Sequence, residues 1–508
     1  MRDMRHNFLI LSFIGLALVA HAQQKDDVAP KHEVLAEHLS MSNDAMLSAW
    51  DNPALMEMAY KTSLTQFGVA LDRLERSEPF VLQKGTGHTL TSIKVDTYLR
   101  LSAGSAVWGK ASYMTGMKRG IKWNSVADFD LLEPDILGDT VGGDTRTEQY
   151  VFEGGYASRI NRWRVGGEML FRAEQEYRKV DPRMRSIVTD LTLRTGVSRE
   201  LGENNLGLSV EGNIYRQTGS VDFYKPLGSV PEYQMLGLGA VYSRFSGDIN
   251  DLFFKGGGIK VHADLMPNGN GVFSTLRVSQ HHYERVARLL NSLPLSTLYN
   301  KEASVRVGWR HSSKLNYAVW ADFKYNRRTS DQHLAGTSSS QIYPVIADLT
   351  MYKNKILATS LTALVGHQAK IGWNVKAQIG YLNNKQEFVY PHRSMRYEHA
   401  YGELTGQIIT NVSKSWSLTG TAGVSYFGRI SRNLVLPLAD MEPHFIEMLN
   451  HNYRFMSADF ASASMLMRAD YHFARSRFSI FAQAGYCYTH SSEREHQNNL
   501  MLTIGINL

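Results

Sequence analysis

The chain has 508 residues, 43% of them hydrophobic and 11% aromatic, with 41 Gly against only 13 Pro. Its single cysteine excludes an intramolecular disulfide framework. After the first twenty residues, no run of roughly 18 apolar residues could cross a bilayer as a helix. The formal charge of +7 would suit nucleic acid, but the export signal described next argues against that partner and points to lipopolysaccharide phosphates instead.

Residues 1–22 read as a secretory signal. Arg2 and Arg5 precede the apolar run from Phe8 to Ala20, and Ala20-His21-Ala22 has the small-x-small cleavage pattern, which makes Gln23 the expected mature N-terminus. Residues 23–61 carry no strand alternation. They hold helix formers between His32 and Met46 and lead into Asn52-Pro53-Ala54. A helical plug or periplasmic segment is expected there, one that occludes the lumen of whatever follows or caps its periplasmic mouth.

From 62 to 508 the pattern is period two. Ile93 to Leu101, Trp163 to Phe171, Ile187 to Thr195, Ile371 to Tyr381 and Leu418 to Tyr426 each alternate apolar with polar positions. These runs have the 9–11 residues of a tilted membrane strand and exceed the usual soluble strand. Their polar faces carry both signs of charge: Arg164, Glu168 and Arg172 on one strand, Asp190 and Arg194 on the next, then Asp322 with Lys324 and Arg468 with Asp470. Ion pairs across a hydrated lumen would explain them. Trp108, Trp123, Tyr150, Trp163, Trp309, Tyr317, Trp416 and Tyr488 lie near strand ends, where interfacial girdles belong. Tight turns at 161–162, 312–314, 411–415 and 475–477 alternate with long polar stretches near 124–147, 328–355 and 431–457. The count of candidate strands is about nineteen, with 219–300 the least regular region. A barrel with both ends in the periplasm needs an even number, so about eighteen are expected, within 16–20. The chain ends inside a strand, with Leu500, Leu502, Ile504, Ile506 and Leu508 on one face.

The expected fold is therefore all-β, an antiparallel transmembrane barrel of the cell outer membrane with a periplasmic N-terminus. The Asn52-Pro53-Ala54 element resembles the start of fatty-acid-transporter-type and type IX secretion barrels, in which an N-terminal segment enters the lumen before the first strand. The runs Val107 to Tyr113, Gly142-Gly143-Asp144, Tyr177 to Arg183 and Leu293-Pro294-Leu295 are similar to an uncharacterised outer-membrane barrel family of Bacteroidota. That resemblance implies work beside surface uptake or secretion machinery and transfers no catalytic residue. Such barrels usually end on an aromatic residue, whereas this chain ends on Leu508.

Chemistry-bearing groups are sparse. An acidic, Gly-containing loop offers Asp135, Asp139 and Asp144 as calcium ligands, without the spacing of an EF-hand. His281 and His282 point to opposite faces of a strand and cannot chelate together. His311-Ser312 and His490-Ser491 lack an orienting third group, so no catalytic residue and no cofactor are assigned. Met465 and Met467 fall on an apolar face. The leading function is a transport or accessory pore. A structural or adhesion barrel is the alternative, and an outer-membrane hydrolase comes third. Expected partners are outer-membrane lipid, the barrel-insertion machinery, and a TonB-dependent receptor or surface lipoprotein.

Overall fold

A strand with one apolar and one polar face leaves two rows of unpaired backbone groups at its edges, and only closure of the sheet removes them all. The computed structural model describes residues 30–46, 48–224, 232–244, 251–339, 342–367, 369, 371–437, 441–474, 476 and 478–508; the expected signal and its cleavage site at Ala22 and Gln23 lie outside them. The strands in chain order begin with β1 (Leu64–Arg76), β2 (Gly87–Ser102), β3 (Ser105–Ile121), β4 (Leu137–Gly138), β5 (Gly143–Ile160), β6 (Trp163–Arg178) and β7 (Arg183–Leu201). They continue with β8 (Asn204–Asp222), β9 (Tyr233–Gly237), β10 (Ala240–Val241), β11 (Asp251–Pro267), β12 (Gly271–Ala287), β13 (Leu293–His311) and β14 (Leu315–Ala335). The last are β15 (Val345–His367), β16 (Ile371–Phe388), β17 (Arg393–Asn411), β18 (Trp416–Val435), β19 (Phe460–His472), β20 (Ser479–Ser491) and β21 (His496–Asn507).

Eighteen of these make one closed antiparallel wall, and β4, β9 and β10 pair separately inside the loops. Closure is made by β1, which pairs with β2 on one side and with β21 on the other, Val69 opposite Ile504 and Phe67 opposite Ile506. Thr65 and Leu508 complete the seam by exchanging two backbone bonds of 3.1 and 2.8 Å.

Parity along each strand sorts the side chains. Ile504 (66% exposed), Ile379, Val424, Met465 and Met467 cover the outer face, while Arg164, Glu176 and Asp470 are buried inside. Of the expected girdle residues, Trp163, Trp309, Tyr317, Trp416 and Tyr488 are exposed on the outside. Trp108 and Trp123 are not. Trp108 faces inward and donates to Glu168 at 2.8 Å, and Trp123 is buried among loop residues. Two other expectations need correction. The surplus nineteenth strand has no place in the wall. In the irregular region 219–300, β9 and β10 are extended but pair with each other and with β4. The stretch 328–355 is mostly strand, because β14 and β15 run on to Ala335 and back from Val345.

The outer face of β21 generates a test. Replacing Ile504 and Ile506 by Asp places charges on that face, each costing up to a few kcal/mol near a bilayer midplane, somewhat less for Asp than for Arg. We expect the double variant to lose most of its heat-modifiable band in unboiled detergent gels. An undiminished band would show that this face does not meet lipid.

Candidate functional site: a lumen occupied at both ends

Residues 30–46 and 48–60 form a helix, Lys31–Leu39, and three 3-10 turns, Met41–Met46, Ala49–Asp51 and Pro53–Met58. Their partners lie around almost the whole ring. Lys31 donates to the carbonyls of Phe473 (3.1 Å) and Phe478 (3.2 Å) in the β19–β20 turn. Gln407 on β17 bonds Leu39 and Met41, each at 2.9 Å. Asp44 pairs with Lys376 on β16 (2.6 Å), and Asp51 with Arg277 on β12 (2.6 Å). Glu57 takes Arg164 on β6 (3.1 Å) and Arg100 on β2 (3.2 Å). A segment with partners on such distant strands must cross the bore.

Asn52-Pro53-Ala54 is its anchor. Asn52, fully buried, accepts from the Ala54 N–H at 3.1 Å, capping the turn that Pro53 opens, and donates to Asp264 on β11 at 3.2 Å. The wall beneath is a trench of small residues. Ala106, Ala157, Gly166 and Gly196 stand in register across β3, β5, β6 and β7. A methyl group at Gly166 would overlap the Pro53 carbonyl, and one at Gly196 would overlap the Asn52 side-chain oxygen.

The other end is filled by loops. Residues 122–142 and 232–244 and the helix Pro443–Met456 bury Val126, Leu132, Leu236 and Met448 against wall residues such as Leu252 and Tyr352. Buried Arg285 donates to the Met235 carbonyl at 2.9 Å. Arg328 holds the carbonyls of Asp130 (3.0 Å) and Glu133 (2.8 Å), and Arg172 pairs with Asp128 at 2.7 Å.

This arrangement separates the three calcium candidates. Asp135 accepts from Ser330 at 2.7 and 2.9 Å, Asp139 pairs with Arg178 at 2.9 Å, and Asp144 accepts from the Gly120 N–H at 2.9 Å. Asp135 and Asp139 are buried, and no group of three His, Cys, Asp or Glu side chains suited to a metal occurs among the described residues. Burial raises Asp135, with Arg285 opposing. Glu232 is pushed up to about 8 by burial and by the Asp139 carboxylate, against the pull of Arg178 and Ser125.

Among the cavities lined by the described residues are two polar chambers in the bore. One of about 360 Å³ lies against the N-terminal segment, between Asp44, Asp51, Arg277, Arg306, Asp322 and Lys376. Another of about 730 Å³ lies between loop 124–131 and the wall, lined by Lys84, Lys118, Arg172, Glu176 and Asp190. Both are lined by side chains of both charge signs. Charges on the wall are matched internally: Glu168, Arg194, Glu211 and Lys260 form a register-aligned row with contacts of 2.7, 2.7 and 3.1 Å.

Sequence reasoning missed Asp44, Asp51 and Glu57, although three carboxylates in a segment without strand repeat facing a basic-rich wall are a usable signal. It also missed a chain from Asp348 through His333 (2.5 Å) to Thr297 (2.8 Å), which has the order of a catalytic triad. Thr297 is buried, and the chain joins β13, β14 and β15 at their loop ends, where it serves as a cross-strand tie. His311 packs beside Trp309 and Tyr317, and Ser312 donates to Asn316.

Residues 53–508 match a family of unknown function, DUF6850, and the chain belongs to that family. No curated protein matches the sequence. Among solved structures, the chain is similar to the copper transporter OprC, with a TM-score of 0.43 and 8% identity over 85% of this chain and 63% of that one. It therefore spans less than two thirds of that protein's length. It is also similar to the siderophore receptor PiuA from Acinetobacter baumannii (TM-score 0.40, 8% identity, 88% and 82% covered). A third is a mutant of the ferric enterobactin receptor PfeA from Pseudomonas aeruginosa (TM-score 0.39, 7% identity, 87% and 80% covered).

Two outcomes are expected from the site geometry. Gly196→Val fills the trench and should undock the N-terminal segment at a cost of about 1–3 kcal/mol, roughly 5–150-fold in the docking equilibrium. Proteolysis ahead of Leu64 should accelerate while the barrel keeps its heat-modifiable mobility; unchanged proteolysis would remove the anchor role. The second outcome concerns pH. Glu232 has a raised folded-state pKa, so the folded loops hold a proton that the unfolded chain releases. The contribution of Glu232 to their stability is greatest below about pH 4.5, declines up to about 8 and is absent above, and Glu232→Gln should remove that component of the slope in melting experiments.

Proposed function

We propose that this chain is an outer-membrane barrel that transports a polar cargo through a gated lumen, with its short turns and N-terminal segment on the periplasmic side. The observation that carries the reading is the segment crossing the bore, held to a polar wall by ion pairs at Asp44, Asp51 and Glu57. A segment built only to fill the barrel for good would be expected to use apolar contacts throughout. Ion pairs can be exchanged for water on both sides when it leaves. The apolar outer face and the closed ring support placement in a bilayer, where every backbone group must be satisfied internally. A TonB-dependent receptor or surface lipoprotein would supply the displacing contact, and the barrel-insertion machinery would place the wall.

A structural or adhesion barrel is the second reading, favoured by the extent of the apolar cluster at the long-loop end. The two are separable because the closures stand in series. Deleting residues 31–58 opens one end only, so its conductance in planar bilayers should stay within about two-fold of the intact protein. Adding a short Gly-Ser replacement of 124–141 should then produce large open-channel steps. If that double variant conducts no more than the intact barrel, the remaining loop elements or wall side chains close the lumen and the structural reading stands.

A further inference from the structure

The outer face of β13–β17 carries one row that its surroundings leave unbalanced. Lys301, Arg327, Lys355, Lys385 and Arg396 are direct register partners across five consecutive strands. All five are exposed, on the same parity as the outward residues Val307, Phe323, Leu361, Ile379 and Leu404. Two have neighbouring carboxylates: Lys385 lies 3.8 Å from Glu387, and Arg396 contacts Glu398. Lys301, Arg327 and Lys355 have no ion-pair partner among the described residues. Like charges directly opposite one another destabilise a sheet. The inner wall avoids that by alternating signs, as in the row from Glu168 to Lys260. A same-sign row on the outside therefore asks for counter-charge from outside the chain.

Its height identifies the source. On the way from this row to the short turns, the outward described positions of β13–β17 hold no Lys, Arg or Asp, and a single Glu, the Glu398 already paired with Arg396. From Lys355 to Val365 on β15 is about ten residues, ~33 Å along the strand and ~25 Å along the barrel axis at a tilt near 40°. That is the height of the apolar band of an outer-membrane barrel. The row begins where hydrocarbon would end, at the long-loop rim. Neighbouring strands lie ~4.8 Å apart, so the row is ~19 Å long and, running obliquely, climbs ~12 Å, comparable with the depth of a headgroup layer.

We propose that this row binds the phosphates of an anionic glycolipid in the leaflet facing the long loops, with the acyl chains lying along the uncharged surface beneath. The proposal rests on the membrane reading above. Thr297, His333 and Asp348 lie beyond the row on the loop side, farther from hydrocarbon than the phosphates, so they do not reach the acyl esters of such a lipid.

The test uses the full-length barrel purified in detergent, with lipid retention read by native mass spectrometry. Probes are bisphosphorylated lipid A, the same lipid after phosphatase treatment, and inorganic phosphate and polyglutamate as competitors. Intact protein should retain the phosphorylated lipid and shed the dephosphorylated one. K301Q/R327Q/K355Q/K385Q should reduce retention at least tenfold at unchanged heat-modifiable mobility, and the charge-keeping swap K301R/R327K/K355R/K385R should restore it. Equal retention by the neutralised variant, or of the dephosphorylated lipid, overturns the proposal. So does displacement by millimolar inorganic phosphate, which would make the row a free-anion site, or by polyglutamate, which would make it an acidic protein's dock. If the intact chain were soluble without detergent and not heat-modifiable, the membrane reading itself would fall; a heat-modifiable barrel without phosphate preference sinks the lipid site alone.

Discussion

A ring of eighteen strands is too wide for its own inward side chains to fill, and the rest of this structure answers that geometric fact. Small barrels close their bore with layers of wall residues, whereas rings of 16–18 strands leave a channel unless chain is inserted. Here the insertion comes from two directions. One is a segment of thirty-odd residues ahead of β1, and the other is a set of loops between β3 and β5, β8 and β11, and β18 and β19. The wall is shaped to receive both. The trench under Asn52-Pro53-Ala54 is four small residues in register, so the segment seats without bending a strand.

Register also decides how charge is tolerated inside. Antiparallel pairing places Arg194 between Glu168 and Glu211, and Arg172 beside Asp190, so both of these half-buried cations meet carboxylates of a neighbouring strand. Removing one member would leave an unpaired charge in a poorly solvated place, a loss of about 3–5 kcal/mol, although the intact pair contributes little net stability. The inner rows thus act mainly to fix which strand lies opposite which.

Much of the wall was legible in the sequence because a closed sheet writes its geometry locally. The alternation from Leu500 to Leu508 and from Ile371 to Tyr381 is visible without any partner, and the opposite charges at Glu168 and Arg194 already imply facing positions. What escaped depends on three-dimensional proximity. Trp108 reads as a girdle residue from its place near a strand end, yet its parity is inward, because β3 continues to Ile121 and sets the face. Asp135 and Asp139 read as calcium ligands from a Gly-rich acidic stretch. Their true partners, Ser330 and Arg178, come from strands far along the chain or across a turn. The Asn52-Pro53-Ala54 motif signalled that something precedes the barrel, but not the glycines that receive it, which in a strand pattern read only as weak positions.

The two closures differ in chemistry, and that difference orders their opening on the gated reading. At the long-loop end, Leu236, Met448 and Tyr352 would expose apolar surface on separation, at about 25 cal/mol for each Å². Nothing returns that loss except another apolar contact. At the short-turn end, Asp44, Asp51 and Glu57 and their basic partners would each regain water on separation, and burial had already cost much of what their attraction returned. The apolar residues of that segment, among them Met46, Leu55, Trp50 and Met56, also pack on the wall, but in two clusters smaller than the one at the loop end. The N-terminal closure is therefore the cheaper to release. On that reading the loop end would hold until a surface contact offered its apolar residues somewhere else to go. A cargo admitted from the loop side would meet the larger chamber first, with the ion-paired segment still beneath it. Two gates of unlike chemistry in series can open one after the other, and the lumen then need never be open from end to end.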